Sequence, residues 1–183
     1  KGVIHRDIKP ENIFVSNGNY LIGDLGLATF EGKMARTRTG VLVATPGYVA
    51  PERLQDVGEK ASQPTIDIYA FAVVLVEALT GKRPFGSGGA SEILERQCHG
   101  SPSAATLQSL GVPSCLAGTL ARALDNDPAN RPQSCRNFSE LLQAACKGLA
   151  PTMTMSAKGT GEMAQAMKHG DKPMKPPLAK SII

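Results

Sequence analysis

HRDIKPEN, from His5 to Asn12, crowds one histidine, two cations, two carboxylates and an amide into eight residues, with Pro10 among them. Proline fixes φ and removes a backbone donor, so the stretch suits a rigid polar loop better than a helix. Short apolar runs follow at once, NIFV (12–15) and YLIG (20–23), separated by SNGN (16–19). Asn17-Gly18 is a two-residue turn signal, and the pattern predicts a β-hairpin. Such a hairpin leaves at Asn12 and returns to Asp24, which sets its two polar ends side by side.

Residues 24–50 lack periodicity and hold glycines, four threonines and the basic cluster Lys33, Arg36, Arg38. Ordered structure resumes after them, so they read as a long functional loop and not as a linker. TIDIYAFAVVLVEALTG, from Thr65, is apolar nearly all round. That composition belongs to a helix at the centre of a domain, with Thr65 as the expected N-cap and Gly81 as terminator. Further helices are expected at 91–98, at 114–124 on Leu116, Leu120 and Leu124, and at 134–147 on Phe138, Leu141, Leu142 and Ala145. Gly- and Ser-rich breaks stand at 86–89 and 100–105. Strands come first and helices follow, giving an α+β class that is mostly α-helical.

The chain has 183 residues, enough for one domain with a core. Residues 1–149 form the expected folded unit and 150–183 a disordered basic tail. From Pro151 onward the tail holds five lysines, two acidic residues, five of the six methionines and no aromatic. It cannot bury enough apolar surface to offset backbone entropy of roughly 1–2 kcal/mol per residue. The rest of the chain is nearly neutral, which argues against nucleic acid as a partner. No apolar run is long enough to span a bilayer; the best, FAVVLVEAL (71–79), is short and carries Glu77. Cys98, Cys115, Cys135 and Cys146 form no C-x-x-C pair, and His99 has no partner histidine at ligand spacing. Reduced, buried thiols in a cytoplasmic protein are the expectation.

The opening octet resembles the catalytic loop of protein kinases, H-R-D-x-x-x-x-N. Asp24-Leu25-Gly26 is similar to the family's D-F-G, with Leu for Phe, and Ala50-Pro51-Glu52 matches A-P-E. Singly, Asp7 reads as a turn carboxylate, Lys9 as a solvated cation, Asn12 as a turn amide and Asp24 as a strand-end cap. Three motifs in the family's order and spacing select the functional reading, over about residues 1–147. The resemblance implies the C-lobe of an ATP- and Mg²⁺-dependent kinase acting on protein substrates. By resemblance, Asp7 orients the substrate hydroxyl and accepts its proton, and Lys9 offsets charge on the transferred phosphate. Asn12 and Asp24 supply oxygen ligands to Mg²⁺, a hard cation. His5 packs and does not react. Asp67 holds the catalytic-loop backbone, and Arg131 pairs with Glu52. Lys9 and the segment ATPGYVAPE (44–52), with Thr45 placed to meet Asp7 and Lys9, resemble the Ser/Thr branch.

The family's Gly-rich loop, strand lysine and αC glutamate belong to an N-lobe that would precede Lys1, and they do not occur in these 183 residues. The expectation is a fragment that is weak or inactive in isolation, with Ile4, Ile13 and Leu25 meeting water. A non-catalytic docking or regulatory module is the alternative, and upstream coding sequence separates the two. By the same resemblance, Arg6 takes an anionic partner, commonly a phosphorylated loop, with Thr37 and Thr39 at a suitable distance before Thr45. A phosphate there adds nearly two negative charges to pair with Arg6. Phosphopeptide mapping should find phosphate at Thr37 or Thr39, and the double Thr→Ala variant should lose activity; a fully active double variant refutes the switch.

Overall fold

The computed structural model describes residues 3–25, 45–54 and 63–147, together with the backbone of 29–30. A short helix, α1 (Pro51–Leu54), precedes the sixteen-residue helix α2 (Thr65–Thr80), around which the other elements are arranged. Ile66, Ile68, Tyr69, Ala70, Ala72, Val73, Val74 and Val76 of α2 are all buried. Those residues cover almost the full circumference, so the helix has little polar face to offer water. Gly81 ends it in the left-handed region at φ 69°, its N–H donating to the Glu77 carbonyl at 2.8 Å. Thr65 is not the N-cap. Pro64 takes that position, and its carbonyl accepts from Asp67 at 3.1 Å and Ile68 at 3.2 Å. Thr65 is drawn into the core instead, where its Oγ1 has no partner among the described residues.

Four helices follow: α3 (Ala90–His99), α4 (Ala104–Leu110), α5 (Ser114–Ala123) and α6 (Cys135–Cys146). Three agree with the apolar spacing within one residue at each end. The exception is α4, whose start lies in the stretch expected as a break. Its signal is local: Ser103 accepts from the Thr106 N–H at 3.1 Å, and Gly111 ends the helix at φ 112°. Packing places α5 against α2, α4 and α6. Leu107, Leu116, Leu120 and Leu124 fill that junction, each contributing about 1.5–3 kcal/mol by leaving water. Phe138 of α6 is buried edge-on to Phe71 of α2, at 6.4 Å between ring centroids. Leu141, Leu142 and Ala145 are only half-buried.

The hairpin forms as β2 (Ile13–Ser16) and β3 (Asn19–Ile22), antiparallel, with Ile13 opposite Ile22 and Ser16 opposite Asn19. Asn17 at φ 50° and Gly18 at φ 75° supply the positive φ angles that such a turn demands. A second pairing was not legible in the sequence: β1 (Val3–Ile4) lies antiparallel to β4 (Thr29–Phe30). It corrects one expectation, because Ile4 joins the core and is buried. Ile13 is half-buried, and Leu25 does meet water, with 62% of its surface exposed. The four cysteines are free thiols as expected, but Cys98 and Cys115 are half-buried while Cys135 and Cys146 are exposed.

One ion pair joins the start of α1 to the segment before α6. Arg131 is 0% exposed, and its two terminal nitrogens each meet a Glu52 carboxylate oxygen at 2.8 Å. Its Nε donates to the Asp125 carbonyl at 2.6 Å, further bonds reach Thr65 and Asn126, and the guanidinium lies 4.8 Å from the Tyr69 ring centroid. Every donor is used, which is the condition for a buried charge to be tolerated. Arg131→Ala should therefore cost about 3–5 kcal/mol in urea denaturation. An unchanged denaturation midpoint would mean that Glu52 does not depend on its partner.

Candidate functional site

Asp67, in the first turn of α2, reaches back across the fold to the opening loop. Its Oδ2 accepts the His5 N–H at 2.7 Å, and its Oδ1 accepts the Arg6 N–H at 2.8 Å. A loop rich in proline and charge has no ladder partner for these amides, and the carboxylate supplies one for each. Burial pushes the Asp67 carboxyl above its ordinary value, and the two backbone N–H groups oppose that shift. Arg6 sits in the left-handed region at φ 69°, uncommon for a residue with a side chain. His5 is buried between two partners: Nε2 lies 2.9 Å from the Gly23 carbonyl, and Nδ1 accepts the Asp7 N–H at 3.3 Å. A carbonyl only accepts, so Nε2 carries the proton and the ring is neutral. The histidine is a strut, as expected.

Asp7 follows in the chain; two side chains meet its carboxylate, and Thr45, expected to meet both Asp7 and Lys9, joins through Lys9. Lys9 Nζ lies 2.8 Å from Asp7 Oδ2 and also donates to Thr45 Oγ1 at 3.2 Å. Asn12 Nδ2 donates to the Asp7 carbonyl at 2.8 Å and to Asp7 Oδ2 at 3.0 Å. A 3₁₀ turn, Pro10–Asn12, makes the last contact possible by folding Asn12 back towards Asp7. Thr45 arrives from 36 residues away and bonds the lysine directly. Asp7, Lys9, Asn12 and Thr45 form one hydrogen-bonded group.

Asp24 stands where the hairpin returns. The Gly23 N–H donates to the Asn12 carbonyl at 2.9 Å, so the two strand ends are tied one residue from Asp24. Asp24 itself has φ 59°. Asn12 spends its amide nitrogen on Asp7, which leaves Oδ1 as its candidate ligand atom. One amide oxygen and one carboxylate suit Mg²⁺, which takes few protein oxygens and fills its shell with water and phosphate. Among the described residues no group of three His, Cys, Asp or Glu forms a metal cage. No described helix is long and apolar enough to cross a membrane. Thr37, Thr39, Gly26 and the tail 150–183 lie outside the described residues.

The segment from Thr45 to Ala50 is held from below by residues that the motif reading missed. Gln97 of α3 is fully buried; it accepts the Gly47 N–H at 3.0 Å and donates to the Val49 carbonyl at 3.0 Å and Tyr69 Oη at 3.3 Å. Tyr48 donates its hydroxyl to Glu77 of α2. Burial, and then the bond to Glu77, push that hydroxyl well above the ordinary tyrosine range and keep it a donor. The only hint in the sequence was a glutamine and a glutamate on otherwise inward-facing helix positions.

The protein kinase domain family matches residues 1–147. The chain is 30% identical over 174 residues to Serine/threonine-protein kinase PkaA of Streptomyces coelicolor, a match that covers 93% of the chain and 31% of PkaA. It is 34% identical over 167 residues to Serine/threonine-protein kinase Pkn1 of Myxococcus xanthus, covering 87% of the chain and 23% of Pkn1. Against PknL of Mycobacterium tuberculosis the identity is 32% over 150 residues, covering 81% of the chain and 37% of that relative. The chain thus spans about a third or less of the first two relatives. The crystal structure of Rad53 1-466 in complex with AMP-PNP shares the fold, at 24% identity and TM-score 0.56, over 75% of this chain and 33% of that one.

Replacing Asp67 tests the grip on the loop. Asn would set its –NH₂ against one of the two backbone N–H groups that the carboxyl meets with oxygen whether or not it is protonated, so Asp67→Asn should cost about 1–3 kcal/mol in urea denaturation. The folded-state carboxyl value is raised, so the stability it contributes is fullest below the unfolded value near 4 and falls as the pH rises through the folded value. The deficit of the Asn variant should therefore be greatest in acid and shrink towards neutrality; a deficit that grows with pH would contradict the burial argument.

Proposed function

The chain belongs to the protein kinase domain family, and we propose that it carries the substrate- and metal-facing lobe of a Ser/Thr protein kinase. In this reading the γ-phosphoryl group of ATP passes to a serine or threonine hydroxyl of a protein substrate. The hydrogen-bonded group of Asp7, Lys9, Asn12 and Thr45 carries the proposal.

Phosphoryl transfer needs positioning and charge neutralisation more than covalent help. Asp7 accepts a hydrogen bond from the incoming hydroxyl and receives its proton as the new O–P bond forms and the bridging P–O bond to ADP breaks. Asn12 fixes the Asp7 carboxylate by donating to Oδ2, which leaves Oδ1 for the substrate. Lys9 stands 2.8 Å from that carboxylate and balances it until a phosphate takes the lysine over. Asn12 Oδ1 and the Asp24 carboxylate would hold Mg²⁺, which when bound screens the phosphate oxygens. Lys9 and Thr45, which resemble the Ser/Thr branch and are bonded to one another, together with the Ser/Thr kinases among the relatives, support Ser/Thr over Tyr. An ATP-dependent reaction and four unpaired thiols suit the cytoplasm.

Phosphate transfer from ATP to serine, threonine and tyrosine peptides tests the reading, on the chain and on the chain joined to the N-terminal lobe of a related kinase. Serine and threonine peptides should be labelled and tyrosine peptides should not. Asp7→Asn should lower kcat by about 10²–10⁴-fold, and Asp24→Ala should remove the Mg²⁺-dependent activity. Undiminished transfer by the double variant would refute the assignment.

A further inference from the structure

Arg53, immediately after the Glu52 of the buried ion pair, donates from Nη1 to the Arg6 carbonyl. That carbonyl and the Asp7 N–H are the two ends of one peptide group. The N–H end is taken by His5 Nδ1 at 3.3 Å, and the preceding N–H, of Arg6, is taken by Asp67 at 2.8 Å. The peptide on the N-terminal side of the proposed catalytic carboxylate is thus held at both ends, next to a residue at φ 69°. Left-handed backbone at a residue other than glycine or asparagine persists only where its surroundings over-determine it.

From this geometry we infer that Arg53 is a positioning residue: its guanidinium fixes the plane of the Arg6–Asp7 peptide and so the direction in which the Asp7 carboxylate leaves the loop. Two features explain why an arginine does this. The bond is charge-assisted, and so stronger than a neutral one. Arg53 is also anchored from behind, because its neighbour Glu52 is clamped by Arg131 through two bonds of 2.8 Å. The cleft that Arg53 lines is shared with Arg6, Asp7, Thr45 and Asp67. Burial, and then the neighbouring Arg6 guanidinium, hold the Arg53 value below the ordinary arginine range, against the carboxylates of Asp67, Asp7 and Glu52. Movement of α1 would therefore reach the reacting carboxylate through one side chain.

The inference rests on Asp7 being the carboxylate that receives the substrate proton, so its test has a readout that does not need activity. In the full chain, hydrogen–deuterium exchange is followed in the segment 4–12 and in α5 and α6, for wild type, Arg53→Met and Arg53→Lys. Removing the donor should speed exchange at the Arg6, Asp7 and Ile8 amides about tenfold or more in Arg53→Met, with α5 and α6 unchanged and partial protection in Arg53→Lys. In the transfer assay, kcat should fall with KM for ATP unchanged, and Arg53→Lys should recover part of kcat. Unaltered exchange in 4–12 overturns the inference, and so does equal acceleration everywhere, which would make Arg53 a general stabiliser. Should Arg53→Met fail to fold, Arg53→Lys decides alone: faster exchange confined to 4–12 supports the inference, and wild-type exchange overturns it. Asp7→Asn separates this from the kinase reading. A variant with protected 4–12 amides and undiminished transfer would refute the role of Asp7 and leave the Arg53 contact standing.

Discussion

Two consecutive backbone N–H groups, those of His5 and Arg6, end on the carboxylate of Asp67. Among the described residues no strand pairs with His5 or Arg6, and their polar backbone would otherwise be stranded against the core. A half-buried carboxylate on a buried helix solves this at the cost of its own desolvation, visible as a raised carboxyl value. Once those amides are fixed, the geometry of the next six residues follows. His5 closes on Gly23, Asp7 follows the left-handed Arg6, and the 3₁₀ turn brings Asn12 back to Asp7.

The site is assembled from three levels of the fold, each anchored on α2. Asp67 holds the opening loop, Glu77 holds Tyr48, and Tyr69 supports both Gln97 and Arg131. An all-apolar helix could bury as much surface, but it could not fix polar loops in register. The few polar atoms on α2 are therefore where stability is traded for position. The Glu52–Arg131 pair belongs to the same class. Its net contribution to stability is small against a well-packed apolar pair, while its loss is costly, and what it secures is the placement of α1 beside the loop.

Much of this was readable before any coordinates. The central helix, three of the four helices that follow it and the hairpin came from periodicity and turn chemistry, because local rules dominate there. Asp7, Lys9, Asn12, Thr45, Asp67, Glu52 and Arg131 came from motif resemblance; Lys9 and Asn12 meet Asp7, Asp67 holds the loop amides and Arg131 pairs with Glu52, while Thr45 meets Lys9 and not Asp7. Thr65 was misread because a threonine at a helix start looks like a cap, while the carbonyl of Pro64 already did that work. Helix α4 was missed because seven residues with one buried leucine leave almost no periodic signal. The exposure expected for Ile4 failed because β4, the strand beside it, comes from 25 residues further along the chain.

Residue type and order were enough to carry the resemblance to the kinase motifs, since carboxylate, lysine, amide and hairpin fall within twenty residues and obey short-range rules. Tertiary structure alone decided how that chemistry is held. Gln97 under Gly47 and Val49, Tyr48 on Glu77, and Arg53 on the Arg6 carbonyl join residues 29 to 50 positions apart. No local pattern encodes such pairs, because each depends on where the buried helix places two distant segments and on which backbone groups they leave unsatisfied.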